Sequence, residues 1–352
     1  LDETKNNYLM GIVYLGEKLG VSAADITTGD FLVTEVTSER SLLDEINKFS
    51  PSEIICNDAF SMSGIQLEEI RNRYHFTISS LDSRFFQEES CRRVLQEHFK
   101  VKTLDGLGLG DYDCGMIAAG AVLQYLYETQ KITLGHMTSL IPYSTGSYMV
   151  LDSSTRRNLE LLETMREKQK RGSLLWVLDK TRTAMGARYL RTWLEQPLID
   201  RNEILNRQQA VEELNLNYIG REELGEYLNP IYDMERLIGR VSYQSANPRD
   251  MISFKSSISM IPYIKQLVKS FSTEEMQCVY EDMDDLRDLY TLLESAIVEE
   301  PPLAMKEGGI IKDGYNENVD HFREAKTKGK SWLAELEAQE REKTGIRNLK
   351  IK

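Results

Sequence analysis

Apolar residues are spaced in two different ways along this chain. Up to about residue 100 they come in short, nearly continuous or alternating runs. YLMGIVYLG from Tyr8, KLGVSAADITTG from Lys18 and DFLVTEV from Asp30 are separated by glycines at turn positions, which predicts an antiparallel meander of three strands with one buried face. Behind Ser38 the spacing changes to Leu42, Leu43, Ile46 and Phe49, one face of a helix that Ser50-Pro51 closes. EIICND and HFTIS read as two further short strands, and a helix is predicted from about Phe85 to Phe99. Strands followed by alternating helix and strand predict an α/β domain.

Beyond residue 102 the period is helical almost throughout. The glycine-rich Thr103–Asp111 reads as a linker: its glycines alternate with leucine and aspartate and lack the strand and spacing of a phosphate loop. A helix from about Tyr112 to Thr129 offers Gly115, Ala118, Ala119 and Val122 as a small-residue face for close packing, and extended chain follows to Val150. Asp152 to Ser154 can cap a helix carrying Leu159, Leu162 and Met165 and ending near Gly172. Ser173 can cap Leu174 to Leu178. Thr183 can cap a third helix in which Gly186, Leu190, Trp193 and Leu194 share a buried side, with Gly186 admitting a neighbouring backbone, while Arg188 and Arg191 point away and Pro197 ends it. Asp200 with Glu203 opens a helix with Ile204, Val211 and Leu214 inward, and Asp233 opens one with Met234, Leu237, Ile238 and Val241 inward. Asn247-Pro248-Arg249-Asp250 is a further helix opening by cap, proline and first-turn acid. An acidic helical stretch runs from Glu274 to Glu300 with Leu286, Leu289, Leu293 and Ile297 as its stripe, and Pro301-Pro302 breaks it. Asn318 opens the last helix, to about Lys343; Gly345 ends it, and 346–352 read as the start of a strand.

Composition narrows the picture. The 352 residues are long enough for two or three domains, and at 41 % hydrophobic and 28 % charged they can build cores without looking disordered. The longest nearly apolar run, Met116 to Tyr127, is too short to span a bilayer and the first residues lack signal-peptide character, so a cytoplasmic protein is expected. Cys56, Cys91, Cys114 and Cys278 are scattered without metal-ligand spacing, which predicts reduced thiols. The net charge of -13 argues against a generally basic nucleic-acid surface, but the charge is uneven. From Leu151 to Asp200 ten Lys or Arg face seven Asp or Glu, and from His321 to Lys352 nine face five. Gly329-Lys330-Ser331 imitates the end of a phosphate-binding loop, but the position that needs the first glycine is Glu324, inside a predicted helix, which excludes ATP there.

The literal residues say more than their periodicity. Leu151-Asp152, Thr155-Arg156-Arg157-Asn158-Leu159-Glu160, Gly172-Ser173-Leu174-Leu175, Leu178-Asp179, Thr181, Thr183, Met185-Gly186, Arg188, Leu190-Arg191, Trp193-Leu194 and Pro197-Leu198 closely resemble the signature of the MutS family of DNA mismatch-repair ATPases, at the entry to their helical core. GVSAADITTGDF, Glu235-Arg236-Leu237, Gly239-Arg240-Val241 and Ala246-Asn247-Pro248-Arg249-Asp250 extend the resemblance over most of the chain. It implies an RNase H-like α/β connector domain (1–102), a mainly α-helical core and lever domain (103–315), and a long lever helix with the start of the clamp (316–352). It also implies a fragment: the family's mismatch-reading Phe-x-Glu domain and its P-loop ATPase domain do not appear, so ATP and Mg²⁺ belong to the missing part, and no catalytic, cofactor or metal residue is expected here.

In the family this region carries signals between the ATPase and the DNA-gripping clamp and offers part of the MutL-binding surface. Mismatched duplex DNA and MutL are the partners so implied. The basic far end of the lever supplies candidates for DNA-backbone contact, Lys326, Lys330, Arg341, Lys343, Arg347, Lys350 and Lys352. The plainer reading of the same residues is a solvated face with i to i+4 partners such as Glu337 and Arg341. Arg156, Arg157, Asn158, Gly186, Arg188, Arg191, Trp193 and Pro197 are read as structural, the arginines fixing helix packing and interdomain geometry. The isolated chain is expected to be a monomer that binds DNA weakly or not at all. The alternatives are a stand-alone helical adaptor or a nuclease using Asp25 and Asp30 with two metal ions, but the first strand, Tyr8 to Gly16, contributes no carboxylate to such a site.

Overall fold

The structure is a computed structural model that describes residues 2–65, 67, 71–72, 75–130 and 133–346. Packing divides the chain into two compact units, Leu1–Ala246 with Ser256–Asp285, and Asn247–Lys255 with Leu286–Lys352.

In the first unit a six-stranded sheet forms from β1 (Leu9–Leu15), β2 (Lys18–Asp25), β3 (Asp30–Val36), β4 (Glu53–Cys56), β5 (Thr77–Ser80) and β6 (Ile141–Pro142), in the order β5-β4-β1-β2-β3-β6. The predicted meander is present: β1 pairs antiparallel with β2 (Leu9 opposite Ala24, Leu15 opposite Lys18) and β2 with β3 (Leu19 opposite Val36, Asp25 opposite Asp30). Strands β4, β5 and β6 join in parallel to β1, β4 and β3 respectively. The expected single buried face is corrected to two. Met10 and Ile12 point into one core with Leu42 and Ile46 of α1 (Glu39–Phe49), while Leu9 and Val13 point into the other. That second core is closed by two helices, α3 (Glu88–Phe99) and α4 (Asp113–Gln130), which follow the short α2 (Asp58–Ser61).

The domain boundary expected after residue 102 falls just ahead of helix α4. This helix lies directly on the sheet through its small-residue face: a Cβ on Gly20 would meet the Cys114 carbonyl oxygen at 2.1 Å and one on Gly11 the Ala118 oxygen at 3.0 Å, while a Cβ on Gly120 would meet the Cys91 Cβ of the neighbouring helix α3 at 2.3 Å. Leu104 and Leu109 of the glycine-rich linker are buried in the same core. The α/β layer therefore continues to β6, because the sheet's second face needs α4 to cover it. Cys56, Cys91 and Cys114 are buried free thiols and Cys278 is exposed; burial pushes the Cys91 thiol up to about 12.

The helices that follow are α5 (Ser153–Asn158), α6 (Leu174–Leu178), α7 (Ala184–Glu195), α8 (Arg201–Leu216), α9 (Tyr218–Leu228) and α10 (Met234–Ser242). Asp152, Ser173, Thr183, Asp200 and Asp233 all accept the predicted capping bonds. The helix predicted to run on to Gly172 stops at Asn158. Glu160 takes φ 46°, and its carbonyl and that of Leu161 accept bonds from Leu174 and Leu175 N–H, so residues 159–172 form a loop folded back on α6. Leu159 and Met165 are exposed, and Leu161 is buried in their stead. Val211, Ile238 and Val241, expected inward, are exposed as well.

Helix α11 (Pro248–Val268) is shared by the two units, and within the first unit Ile264 and Val268 pack with Ala210, Phe271 and Met276. Here α12 (Glu274–Asp282) is capped from a distance. Glu213 accepts N–H bonds from Ser272 at 2.6 Å and Thr273 at 3.0 Å, and hydroxyl bonds from the same two residues. The single acidic helix predicted from Glu274 to Glu300 is broken by Leu286, at φ 48°, into α12 and α13 (Arg287–Ala296).

In the second unit Glu294 of α13 pairs with Lys255 at 2.6 Å and Lys312 at 3.3 Å, and Arg249 donates to the Pro301 carbonyl. The opening of α11 is a reciprocal cap, with Asp250 N–H donating to Asn247 Oδ1 and Asn247 N–H to Asp250 Oδ2. The last helix, α14 (Glu317–Thr344), is capped by Asn316, two residues before the predicted Asn318, and ends at Gly345 with φ 70°. Its 28 residues span about 42 Å at 1.5 Å each. The strand predicted for 346–352 lies outside the described residues beyond Ile346.

Two predictions follow from this packing. Gly20→Ala drives a methyl into the α4 backbone and is expected to cost about 3 kcal/mol or more in urea unfolding, while Gly135→Ala, with nothing within 4 Å of the new Cβ, leaves the midpoint unchanged. Burial would raise the Glu213 pKa, but the bonds from Ser272 and Thr273 outweigh it and bring it to about 2. A depressed carboxylate stabilises the fold above its ordinary 4.5 and loses that contribution as pH falls through about 2. Thermal melts should therefore show a loss of stability across that window that is smaller in Glu213→Gln by the contribution of this one carboxylate.

Candidate functional site

The sheet and the helices of the first unit meet at a buried guanidinium. Thr183 starts α7 so that Arg188, one turn in, faces inward, and it is only 4 % exposed. This overturns the expectation that Arg188 points away from the packed side. Its Nη1 and Nη2 donate to Asp233 at 2.7 and 2.8 Å in a two-pronged pair, Nη2 also donates to Glu235 at 2.5 Å, and Nη1 to the Glu3 carbonyl at 2.8 Å. Asp233 is the N-cap of α10 and Glu235 lies in its first turn, so the arginine binds the end of the helix where negative charge is favoured. Arg236, on the same helix, donates from Nη2 to the Asp2 and Lys5 carbonyls at 3.0 and 2.8 Å.

Helix α10 also reaches the turn between β2 and β3. A Cβ on Gly239 would sit 2.8 Å from the Thr27 oxygen, so this glycine, not Gly186, admits a neighbouring backbone. At Gly186 the nearest atoms belong to Thr183 and Thr181 of its own cap. His136 holds the Ile26 carbonyl at 2.6 Å and stacks edge-on against Tyr243 of the segment after α10.

The charges at this junction are strongly coupled. Burial alone would pull the Arg188 pKa down, yet the hydrogen bonds to Asp233 and Glu235 push it further up. The two carboxylates move in opposite directions. For Asp233 burial is outweighed by Arg188 and by the Arg236 N–H, so its pKa falls; Glu235 has one contact to Arg188 and lies near Asp30 and Asp233, so burial prevails and raises it. Below them a cleft of about 420 Å³ is lined by Asn6, Asp30, Lys48, Arg188, Glu195 and Glu235.

A second buried charge group lies between α1 and α7. Lys48, 8 % exposed, pairs with Glu45 at 3.3 Å and sits 4.0 Å from the Tyr143 ring centroid, and Tyr143 donates to Glu45. Burial lowers the Lys48 pKa against the pull of Glu45. Arg156 donates to the Leu151 and Glu195 carbonyls, and Arg191 pairs with Glu195 at 3.4 Å. Arg157 and Asn158 are exposed. Trp193 lies beneath Arg207 at 3.9 Å and beside Tyr189, and Pro197 accepts from Met149 N–H, next to the Tyr148–Leu198 bridge. The Lys48 group is missed by the periodicity, and its one local signal is a glutamate and lysine at i, i+3 beside Leu42, Ile46 and Phe49 of α1.

Asp25 is fully buried and its oxygens accept from Asn6, Asn7 N–H and the Thr27 N–H and hydroxyl; Asp30 accepts from Asn6 and Thr28. In the second unit, Gly329-Lys330-Ser331 lies within α14. On that helix Arg341 pairs with Glu337, Lys343 with Glu340 at 3.0 Å and Lys328 with Glu324 at 2.5 Å, while Lys326 is exposed. Arg347, Lys350 and Lys352 lie outside the described residues, as does the side chain of Lys330.

The geometry defines a two-part molecule, a mixed-sheet domain followed by a succession of helices in which buried arginine–carboxylate pairs tie α7 to α10 and α10 meets the β2–β3 turn, and no described helix is long and apolar enough to cross a membrane. Comparison with known proteins identifies which two-part molecule it is. Residues 7–138 match the family model for MutS domain II and residues 154–350 that for MutS domain III, and the chain belongs to the MutS family. Over its whole length it is 58 % identical to the DNA mismatch repair protein MutS of Lachnoclostridium phytofermentans, 48 % to that of Ruminiclostridium cellulolyticum and 46 % to that of Acetivibrio thermocellus. It spans 38 % of the first of these relatives and 40 % of the other two. The match to domain II runs past residue 102, in keeping with the place of α4 on the sheet.

Removing Arg188 takes from Glu235 its 2.5 Å partner and leaves Asp233 only the 3.8 Å approach of Arg236 as an ion pair. Arg188→Met should cost about 3 kcal/mol, at the lower end for a broken buried pair because Glu235 is 46 % exposed. Arg188→Lys should recover less than half of that, since an ammonium cannot reproduce the two-pronged bond; urea denaturation of both variants measures it.

Proposed function

We propose that this chain is the linking portion of a MutS-type mismatch-repair protein, acting without catalysis of its own, and that it passes conformational change between the parts of its parent that grip DNA and hydrolyse ATP. The observation that carries this reading is the Arg188 junction. It fixes α10 to α7 by directional bonds, and α10 in turn meets the β2–β3 turn of the sheet through Gly239. A linking element needs geometry that is held by direction as well as by apolar area.

The finer features are proposals of the same kind. An RNase H-like classification is supported by the mixed sheet, in which an antiparallel β3-β2-β1 meander is extended by parallel β4 and β5. ATP and Mg²⁺ would bind in the part of the parent outside this chain, MutL would contact the α/β domain, and the location would be cytoplasmic, at the nucleoid through the parent. Mismatched DNA would be held mainly by that parent. Lys328, Arg341 and Lys343 already face carboxylates one turn away on α14, so their charge is partly compensated before any phosphate approaches.

The test is fluorescence anisotropy with matched and mismatched duplexes at low and moderate salt, alongside sedimentation. The expected result is a monomer with micromolar or weaker, salt-sensitive binding and no mismatch preference. Nanomolar, mismatch-selective binding by the chain alone would overturn the reading.

A further inference from the structure

The segment before β1 is held in an unusual way. Residues 2–5 form a turn in which Asp2 Oδ1 accepts from the Thr4 N–H at 2.9 Å and the Thr4 hydroxyl at 2.7 Å. The outward side chains of Asp2, Glu3 and Lys5 are exposed, while three of the turn's carbonyls face arginines: Glu3 accepts from Arg188, and Asp2 and Lys5 both accept from Arg236. The next two residues are fastened to the sheet instead. Asn6 Nδ2 donates to Asp25 at 3.1 Å and Asp30 at 2.7 Å, the Asn7 N–H donates to Asp25 at 2.9 Å, and Ser52 donates to the Asn7 side chain.

We propose that residues 2–7 are a releasable strap: a backbone-read tether that joins α10 to the Asp25–Asp30 end of the sheet and that Arg236 latches. The two arginines differ in what they would lose. Arg188 keeps Asp233 and Glu235 whether the strap is present or not. Arg236 has only a 3.8 Å approach to Asp233 from its Nε besides the strap carbonyls, and that Nε is buried without a hydrogen bond among the described residues. Its guanidinium is therefore committed to the strap. Because both arginines bind carbonyl oxygens, residues 2–5 are recognised by the shape of their backbone, while Asn6 and Asn7 are held to the sheet through their side chains as well. Lys5 and Asn6 line the 420 Å³ cleft beside Arg188 and Glu235, so release of the strap opens one wall of that cleft. Any shift of α10 relative to the β2–β3 turn must either carry the strap with it or break the Arg236 bonds. The strap is a property of this chain and does not depend on what the parent protein binds.

Hydrogen exchange read by mass spectrometry tests the idea. In the unaltered chain, strap amides should exchange through a local opening that is insensitive to sub-denaturing urea, while β1 amides follow the urea-sensitive global opening. Arg236→Ala should speed exchange over residues 2–7 at least tenfold and leave β1 to β3 as protected as before; Glu3→Ala and Lys5→Ala should leave the strap unchanged. The proposal is overturned if Arg236→Ala does not alter strap exchange, if it deprotects β1 to β3 equally, or if the side-chain variants release the strap as well. It is also overturned if, in the unaltered chain, strap and β1 amides share one urea dependence, a result that needs no variant to fold.

Discussion

The first unit depends on one buried charge being answered in place. Arg188 is removed from water at a site where the sheet, the N-terminal segment and two helices converge, and desolvating a guanidinium is unfavourable unless its donors are met. Asp233 meets two of them, Glu235 one and a backbone carbonyl another. The same Asp233 caps α10 by accepting from the Arg236 N–H, so one carboxylate sets where a helix starts and where the neighbouring helix lies. Loss of that carboxylate would be felt twice, once as a guanidinium left with two of its bonds unmade and once as an uncapped helix.

The other close contact, of α4 with the sheet, works by the opposite means. Its basis is steric: glycines at 11, 20 and 115 remove side-chain bulk so that helix and strand backbones meet almost directly, and the sheet carboxylates Glu35 and Glu53 add bonds from the Gly115 N–H and the Tyr125 hydroxyl. Such a contact is rigid because interiors are close-packed and have no space into which to relax. The α/β part is thus held by steric fit and its link to the helices by directional polar bonds. Fit resists any displacement, whereas a bonded array has particular bonds that can open and close.

Local signals were legible in the sequence and long-range ones were not. Caps lie within a few residues of what they satisfy, and so Ser38, Ser173, Thr183, Asp200 and Asp233 could be read directly. The small-residue face of α4 was visible as composition, although not what it packs on, since the glycines facing it lie about a hundred residues earlier. The helix expected through Met165 failed because the spacing of Leu159, Leu162 and Met165 imitates a helical face, while Glu160 turns into the left-handed region and its carbonyl is taken up by Leu174. Arg188 was assigned outward because charge usually is; its partners lie 45 and 47 residues later, and no periodicity within α7 can announce them.

Carbonyl recognition is the furthest from legibility, because every residue carries the same acceptor. Nothing in the side chains of residues 2–5 marks them as bound, and the residues that bind them lie more than 180 positions away. The resemblance carried by Glu235-Arg236-Leu237 singled out these positions without saying why an arginine should stand at 236. Its geometry supplies a reason: a guanidinium fixed on a capped helix can hold a passing strand of almost any sequence, provided the backbone follows the required turn. That separates the requirement on α10, which is chemical and specific, from the requirement on the strap, which is conformational. Substitutions at Glu3 and Lys5 that keep the turn should be tolerated, whereas position 236 has little freedom.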